Sequence, residues 1–293
     1  MTQKIKDFYS KYNYPLGDEK ITGNYKHLNY YHEKIKPDSF NDIVDIGCGT
    51  GHFLCSLAKK FPNKNFTGID FSTKSIERCN KLSQSLKLKN IKFIIMSIED
   101  LEKIKKKYDF FFCMGVIHHM KDPRVSFKKI SSIMKKNSEG IFFLYGKYGR
   151  FDITRVRKML DLLGKNVDDK DSFNFANSLI EEISMNKTIF KIKRILRILK
   201  NKSYRKHYDL ATYDNYLVPI EHTYNYKNIL KLLHGTDFKF SQFVNDVPGS
   251  INMNKKYQSD IETSYQRLDY NSKIYFNEMM QKPSNYTFIV KKN

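Results

Sequence analysis

Two adjacent histidines, His118 and His119, close the apolar run "FFFCMGVIHHM" just ahead of the turn signal Lys121-Asp122-Pro123. Imidazoles beside a buried strand end can ligate a metal, take a proton, or serve as scaffolding. Earlier in the chain, "VDIGCGTGH" (44–52) sets Gly47, Gly49 and Gly51 at alternate positions between an apolar strand and a helix-periodic segment. Glycine turns of this kind let a ligand approach backbone N–H groups at a helix N-terminus. The dinucleotide fingerprint G-x-G-x-x-G would need glycine at position 52, where this chain has His52. No G-K-[ST] follows, which excludes a P-loop.

Asp70 ends the next strand, 19 positions after Gly51. A carboxylate there can accept both ribose hydroxyls of a nucleoside. Asp45, just ahead of the loop, is placed to hold it or to meet an ammonium group. The ligand so described carries a ribose, an adenine and an α-amino acid, and needs no pyrophosphate.

The elements that must position these residues follow a regular rhythm. Short apolar strands are expected at 42–47, 66–71, 91–97, 108–115 and 140–146. Helices are expected at 51–62, from Ser72 as N-cap to about Leu86, and over 123–136 with Pro123 in the first turn. Each strand is nearly all apolar, which implies burial on both faces: an α/β fold with a doubly wound, mostly parallel sheet. The rhythm stops after Gly146. It resumes with a helix and strand over 224–244 and a last strand at 285–292. The chain therefore divides into an aromatic N-terminal cap segment (1–40), a ligand-binding core (41–146), a helical lid insertion (147–220), and the C-terminal end of the sheet domain (221–293) with a second insertion at 245–284.

The chain has 293 residues and a formal net charge of +21. Such a balance can signal a nucleic-acid or anionic partner. Only nine of the basic residues are Arg, however, and the lysines are dispersed along the chain. Compositional drift therefore explains the charge better than a phosphate-reading face. One segment, 189–206, places Ile192, Ile195, Leu196 and Leu199 on one helical face with Lys and Arg around it. It is expected to pack on its own domain, with weak contact to anionic membranes as the competing reading. The cysteines, Cys48, Cys55, Cys79 and Cys113, form no C-x-x-C pair, so reduced thiols and no structural zinc are expected. The N-terminus lacks a signal-type apolar core, and no window approaches the roughly 18 apolar residues of a membrane span. A cytoplasmic protein is the expectation.

"VDIGCGTG", "GIDFS", "IMSIEDL" and "FFCMGVIHHMKDP" resemble, in order, the motifs of class I S-adenosylmethionine-dependent methyltransferases. The resemblance covers residues 40–146, with 224–244 and 285–292 matching by topology. It implies a Rossmann-like sheet of seven strands with an antiparallel end. It also implies S-adenosyl-L-methionine as cofactor. Gly47, Cys48, Gly49 and Gly51 would then line the methionine part. Asp70 would take the ribose hydroxyls, with Phe71 and Ile98 packing on adenine. Ser97 stands where the family often has Asp. Cys113, Met114 and Gly115 would approach the sulfonium. "FYSKYNYP", "YGKYGRFDI" and "YLVPIEHTYN" resemble bacterial methyltransferases whose N-terminal segment and lid cover the active site.

Methyl transfer needs a base only when the acceptor carries a proton. His118 and His119 are the catalytic candidates, with Glu221 and His222 from the lid. His118 is the first choice to face the pocket, leaving His119 to anchor the loop. Tyr9, Tyr14, Tyr145, Tyr148 and Tyr224, with Glu221, are candidates to shape the substrate pocket. The "VIHHM" ending resembles quinone-biosynthesis methyltransferases. The E-x-x-E-H set of their metal-using members is missing its glutamates here, so no metal is expected. Neither the [DNS]-P-P-[YF] of adenine N-methylation nor the Pro-Cys of cytosine C-methylation occurs. A small-molecule acceptor is the expectation. RNA or protein methylation, or a non-catalytic S-adenosylmethionine-binding module, is the alternative. The oligomeric state is open at this stage.

Overall fold

The computed structural model describes residues 2–12, 40–166, 169–183, 209–244 and 258–293. Seven strands make one sheet: β1 (Asp42–Ile46), β2 (Asn65–Asp70), β3 (Ile91–Ile95), β4 (Tyr108–Met114), β5 (Met134–Tyr145), β6 (Phe238–Phe243) and β7 (Asn285–Lys292). Their order is β3-β2-β1-β4-β5-β7-β6. Strands β1 to β5 are parallel, and β7 runs antiparallel to both β5 and β6. This is the doubly wound sheet with an antiparallel end that the pattern of apolar runs implies. The order reverses between β1 and β4, which opens a crevice at their carboxyl ends.

Both faces of the sheet are buried, and alternate side chains divide between them. Val44 and Phe111 join Phe127, Phe142 and Phe288 on one side. Ile43, Phe110 and Phe112 join Leu54, Leu57 and Ile289 on the other. Local signals set the helix starts. Ser72 caps Thr73–Ser85 by accepting from the Ser75 amide. Asp122 caps Pro123–Ser132, with Pro123 in the first turn. All four cysteines are buried. No helix among the described residues is long and apolar enough to cross a membrane.

The helix expected over 123–136 stops at Ser132, and β5 begins at Met134 rather than at Gly140. Tertiary contacts override helix propensity there. The Tyr108 amide donates to Ile133 O at 2.9 Å, and Met134 is drawn into the core beside β4. The Lys292 ammonium on β7 donates to the carbonyls of Ser131 and Met134. Asn137, at φ +59, lies inside β5 where its register with β4 shifts between Tyr108 and Phe110.

Two further layers cover the carboxyl ends of the strands. The N-terminal helix Gln3–Lys11 packs Ile5 and Phe8 against Val218. Helices Phe151–Leu162 and Lys170–Ile183 gather around Leu217 of a π-helical turn, Tyr213–Leu217. The basic segment 189–206 lies outside the described residues. Within 245–284, the helix Tyr270–Gln281 is tied to the sheet by Glu278, which accepts from the Tyr226 amide and the Tyr286 hydroxyl.

The tightest point of the sheet is Gly140, where a β-carbon would overlap the Phe111 ring. That ring is boxed in by Phe142 and Phe238, with centroids at 4.9 and 5.4 Å. Gly140→Ala should therefore cost about 1–3 kcal/mol of overpacking strain. Denaturant unfolding measures it, and an unchanged midpoint would show that the ring has room to move.

Candidate active site

The carboxyl ends of β1, β2, β4 and β5 border a cavity of about 480 Å³. Over β1 and β2 its wall is the glycine loop. Gly47 and Cys48 donate their amides to Ile69 O, which turns the chain sharply off β1. At φ +78, and with Val116 packed where a β-carbon would stand, only glycine fits position 47. Asp70 is buried at the end of β2. One carboxylate oxygen accepts from the Gly49 amide at 3.0 Å and the other from the Ser72 amide at 2.8 Å. The Phe71 amide also bonds this carboxylate, and of its roughly four lone-pair sites at least one remains for a ligand. Burial raises the Asp70 pKa, and the backbone amides pull it back.

Asp45 faces the same cavity with no hydrogen-bonding or ionic partner among the described residues. Burial, reinforced by the charge of Asp70, pushes its pKa up to about 8. A buried carboxyl left this way calls for a cationic group from a ligand. Phe71 and Ile98 also line the cavity, as do Met114 and Gly115 from β4 and its turn. A β-carbon at Gly115 would meet nothing within 4 Å, so the wall is open at the strand end. Ribose-accepting oxygens, an uncompensated carboxyl and an apolar slot together fit an adenosyl group bearing an amino acid.

Over β4 and β5 the wall is of a different kind. His119 lines the cavity, with Nδ1 2.8 Å from Ile220 O. A carbonyl only accepts, so Nδ1 carries the proton and Nε2 keeps its lone pair. Nε2 has no hydrogen-bond partner among the described residues. Burial lowers the pKa of His119 and keeps the ring neutral. Beside it, Asp214 accepts from Tyr9 Oη at 2.8 Å and Tyr145 Oη at 3.3 Å. Burial and the neighbouring Asp214 hold the Tyr9 phenol well above its usual value, so it remains a donor.

His118, the first choice from sequence to face the pocket, does not border the cavity. It is fully buried, and neither ring nitrogen has a partner among the described residues. Its ring stacks on Tyr145 at 3.7 Å, and the Arg150 guanidinium lies 3.6 Å from the same ring centroid. Tyr145 is thus sandwiched, and His118 is scaffold at this position. The short 3₁₀ turn Ile117–His119 rotates the second imidazole toward the cavity in place of the first.

Other expected residues also sit elsewhere. Ser97 accepts from the Glu99 amide at the start of the 3₁₀ turn Ile98–Lys103 and lines a neighbouring pocket with Phe71 and Met96 rather than the main cavity. Gly51 starts the helix after the loop, and its Cα faces Cys79 rather than the cavity. Cys113 is buried within β4. Glu221 forms a buried bidentate pair with Arg150, at 2.7 and 3.2 Å. Tyr224 is buried, and its hydroxyl has no partner among the described residues. His222 bonds Met120 O through Nε2. Tyr148 donates to Tyr275 near the surface. Tyr14 lies outside the described residues. Asp214 is the main residue that sequence reasoning missed: "YDNY" has no periodicity and follows a long segment without strand pattern.

Comparison with known proteins gives this geometry a family. An uncharacterized protein of Synechococcus sp. is 25% identical over 207 residues, covering 69% of this chain and 48% of that one. The probable (S)-tetrahydroprotoberberine N-methyltransferase 2 of Papaver bracteatum is 28% identical over 137 residues, covering 47% of this chain and 37% of its own. The chain thus spans half or less of these curated relatives. The structure of PKMT2 from Rickettsia typhi shares the fold at a TM-score of 0.65 and 18% identity, covering 93% of this chain and 54% of that one. PKMT2 in complex with AdoHcy gives 0.63 and 17%, covering 96% and 53%. The family model described as a methyltransferase domain matches residues 38–197, more than half of the chain, and the protein belongs to that methyltransferase family.

Proposed function

We propose that the protein is an S-adenosylmethionine-dependent methyltransferase acting on a small-molecule acceptor. The observation that carries this reading is the pair of carboxyl groups on one wall, Asp70 with lone-pair capacity left beside its amide donors and Asp45 with no counter-charge. S-adenosylmethionine, when bound, supplies a methyl group on a sulfonium for in-line displacement by the acceptor. The chain's own residues bind, align and manage a proton. Asp70 holds the ribose hydroxyls. Asp45 meets the ammonium of the amino acid. Phe71 and Ile98 clasp the adenine. Met114 and Gly115 leave the strand end open for the reacting centre. His119 is the base, through the lone pair on Nε2. A cavity of about 480 Å³ shared by cofactor and acceptor favours a compact acceptor.

Asp70→Ala should remove measurable S-adenosylmethionine binding in calorimetry, and Gly49→Arg should do the same by filling the loop. Unchanged affinity in both would sink the cofactor assignment. Labelled cofactor offered with a metabolite mixture and with RNA tests the acceptor class. Label recovered on RNA alone would defeat the small-molecule reading.

Asp45 gives a prediction for the ligand-free protein. An unfolded Asp ionises near pH 4, whereas the folded one ionises only at about 8. As pH rises between those values the unfolded state alone loses its proton, so stability falls and the loss is complete above about 8. Asp45→Asn should remove that loss. The ligand-free variant should exceed wild type in stability by about 5 kcal/mol at pH 8.5 and match it at pH 4. The same variant should bind the cofactor more weakly. Parallel melting curves at both pH values would refute the account.

The histidines separate by readout. His119→Ala should cut kcat by about 100-fold or more while cofactor affinity holds, as loss of a general base does. Because burial lowers its pKa, the acid limb of kcat should lie below the ordinary imidazole value. His118→Ala should instead lower Tm by loosening Tyr145, with kcat of the folded protein largely kept. Equal stability loss at both positions with turnover intact would return the pair to scaffolding.

A further inference from the structure

The net charge of +21 does not reach the cavity: no lysine or arginine of the described residues lines it, whereas Asp45, Asp70 and Asp214 do. Asp45 and Asp70 flank the glycine loop over β1 and β2. Asp214 stands apart, over β5, among the rings of Tyr9, Tyr145 and His119. It has two phenol donors and, among the described residues, no salt bridge. The nearest guanidinium groups are engaged elsewhere. Arg150 is paired with Glu221, and Arg157 donates to the carbonyls of Asn215 and Val218, its charge reaching Asp214 only through space.

From this arrangement we infer that the acceptor is an amine, held as its ammonium by the Asp214 carboxylate, and methylated on nitrogen. The inference rests on the methyl-transfer reading above and names its substrate class. A buried carboxylate with neutral donors attracts a cation. An acceptor bearing a carboxylate or phosphate would meet like charge and, among the described residues, no lining cation. A neutral alcohol would gain nothing from the Asp214 charge.

The proton balance closes on residues in the same wall. An ammonium has no lone pair, so it must first release a proton, and Nε2 of His119 is the unpartnered acceptor. The freed nitrogen pair then forms the bond to the methyl carbon. The carbon–sulfur bond breaks with its electrons on sulfur, which discharges the sulfonium. The product is an N-methylammonium, still paired with Asp214, and the proton on His119 leaves to solvent after turnover. Asp214 touches the substrate in this scheme and fixes its cationic end. Tyr9 and Tyr145 are positioning residues that hold the carboxylate.

Binding tests the inference without turnover. Phenethylamine, 2-phenylethanol and phenylacetate share a skeleton, and Nα-acetyl-lysine methylamide carries the same ammonium as a polypeptide side chain. Calorimetry of each against the full chain saturated with S-adenosylhomocysteine should show one of the amines binding at least about tenfold more tightly than the alcohol, with the acid weakest. Which amine wins separates a free small amine from a lysine side chain. Asp214→Asn keeps an oxygen for the phenols, and should erase the amine–alcohol gap while leaving S-adenosylhomocysteine affinity unchanged. Labelled cofactor should then place the methyl group on nitrogen. Equal binding of amine and alcohol, no amine binding, preference for the acid, or a gap that survives Asp214→Asn would each overturn the inference. The wild-type comparison stands even if the variant fails to fold. Failure of S-adenosylhomocysteine to bind would instead defeat the cofactor reading on which the inference rests.

Discussion

The extended segment Ile220–Tyr224 holds the acceptor side of the cavity together. It is laced between two strand ends that the sheet alone would leave apart. Ile220 O receives the His119 imidazole, the His222 amide donates to His118 O at 2.8 Å, and His222 Nε2 bonds Met120 O. On the other side the Tyr224 amide donates to Tyr145 O, and its carbonyl receives the Lys147 amide. Glu221 sits between these contacts and fixes Arg150, which covers the face of Tyr145 opposite His118. The pair is nearly fully buried, so removing either partner would strand a charge, a cost of about 3–5 kcal/mol. The orientation of both histidines and of Tyr145 follows from this one strap.

The strap also explains how a strongly basic chain keeps an acidic cavity. Of the two guanidinium groups close to the site one is neutralised by an ion pair, and neither lines the cavity. Arg150 is spent on Glu221, while Arg157 is held by backbone carbonyls at the turn that carries Asp214 and keeps its charge. The bulk charge is carried elsewhere and says little about the chemistry at the strand ends. What a ligand meets is set by a few buried groups whose partners are counted one at a time.

The part of the molecule that could be read from sequence is the part built from local rules. Alternating apolar runs gave the parallel sheet because strands buried on both faces have no polar side to show. The glycine spacing and Asp70 were legible because a tight turn and a carboxylate at a strand end are constrained within a few residues. The remainder depends on contacts across a hundred positions or more. Nothing near His118 says that Ile220 will claim the imidazole of its neighbour. Glu221 and Tyr224 looked like pocket residues because they are polar and aromatic near a lid. Their burial against Arg150 and β5 is a tertiary fact. Ser97 was placed by alignment of a motif, but a serine after a strand and before a turn prefers to cap that turn. The end of the helix at Ser132 was hidden for the same reason, since β7 supplies the lysine that binds its carbonyls.

A division of labour follows from where these contacts originate. The cofactor wall comes from consecutive strand–turn–helix units, so any chain with this sheet can build it. The acceptor wall comes from Tyr9 of the N-terminal helix, His119 and Tyr145 at strand ends, and Asp214 of the π-helical turn. A π turn is a costly insertion in a helix, retained where it aims a side chain that an ordinary helix would misdirect. Here it brings the Asp214 carboxylate to two phenols on different elements. On the proposed reading, acceptor choice lies in segments with little periodicity and no motif, so the fold can stay fixed while they vary. In this chain they converge on one carboxylate, two phenols and one unprotonated imidazole nitrogen, which gives that wall a charge as well as a shape.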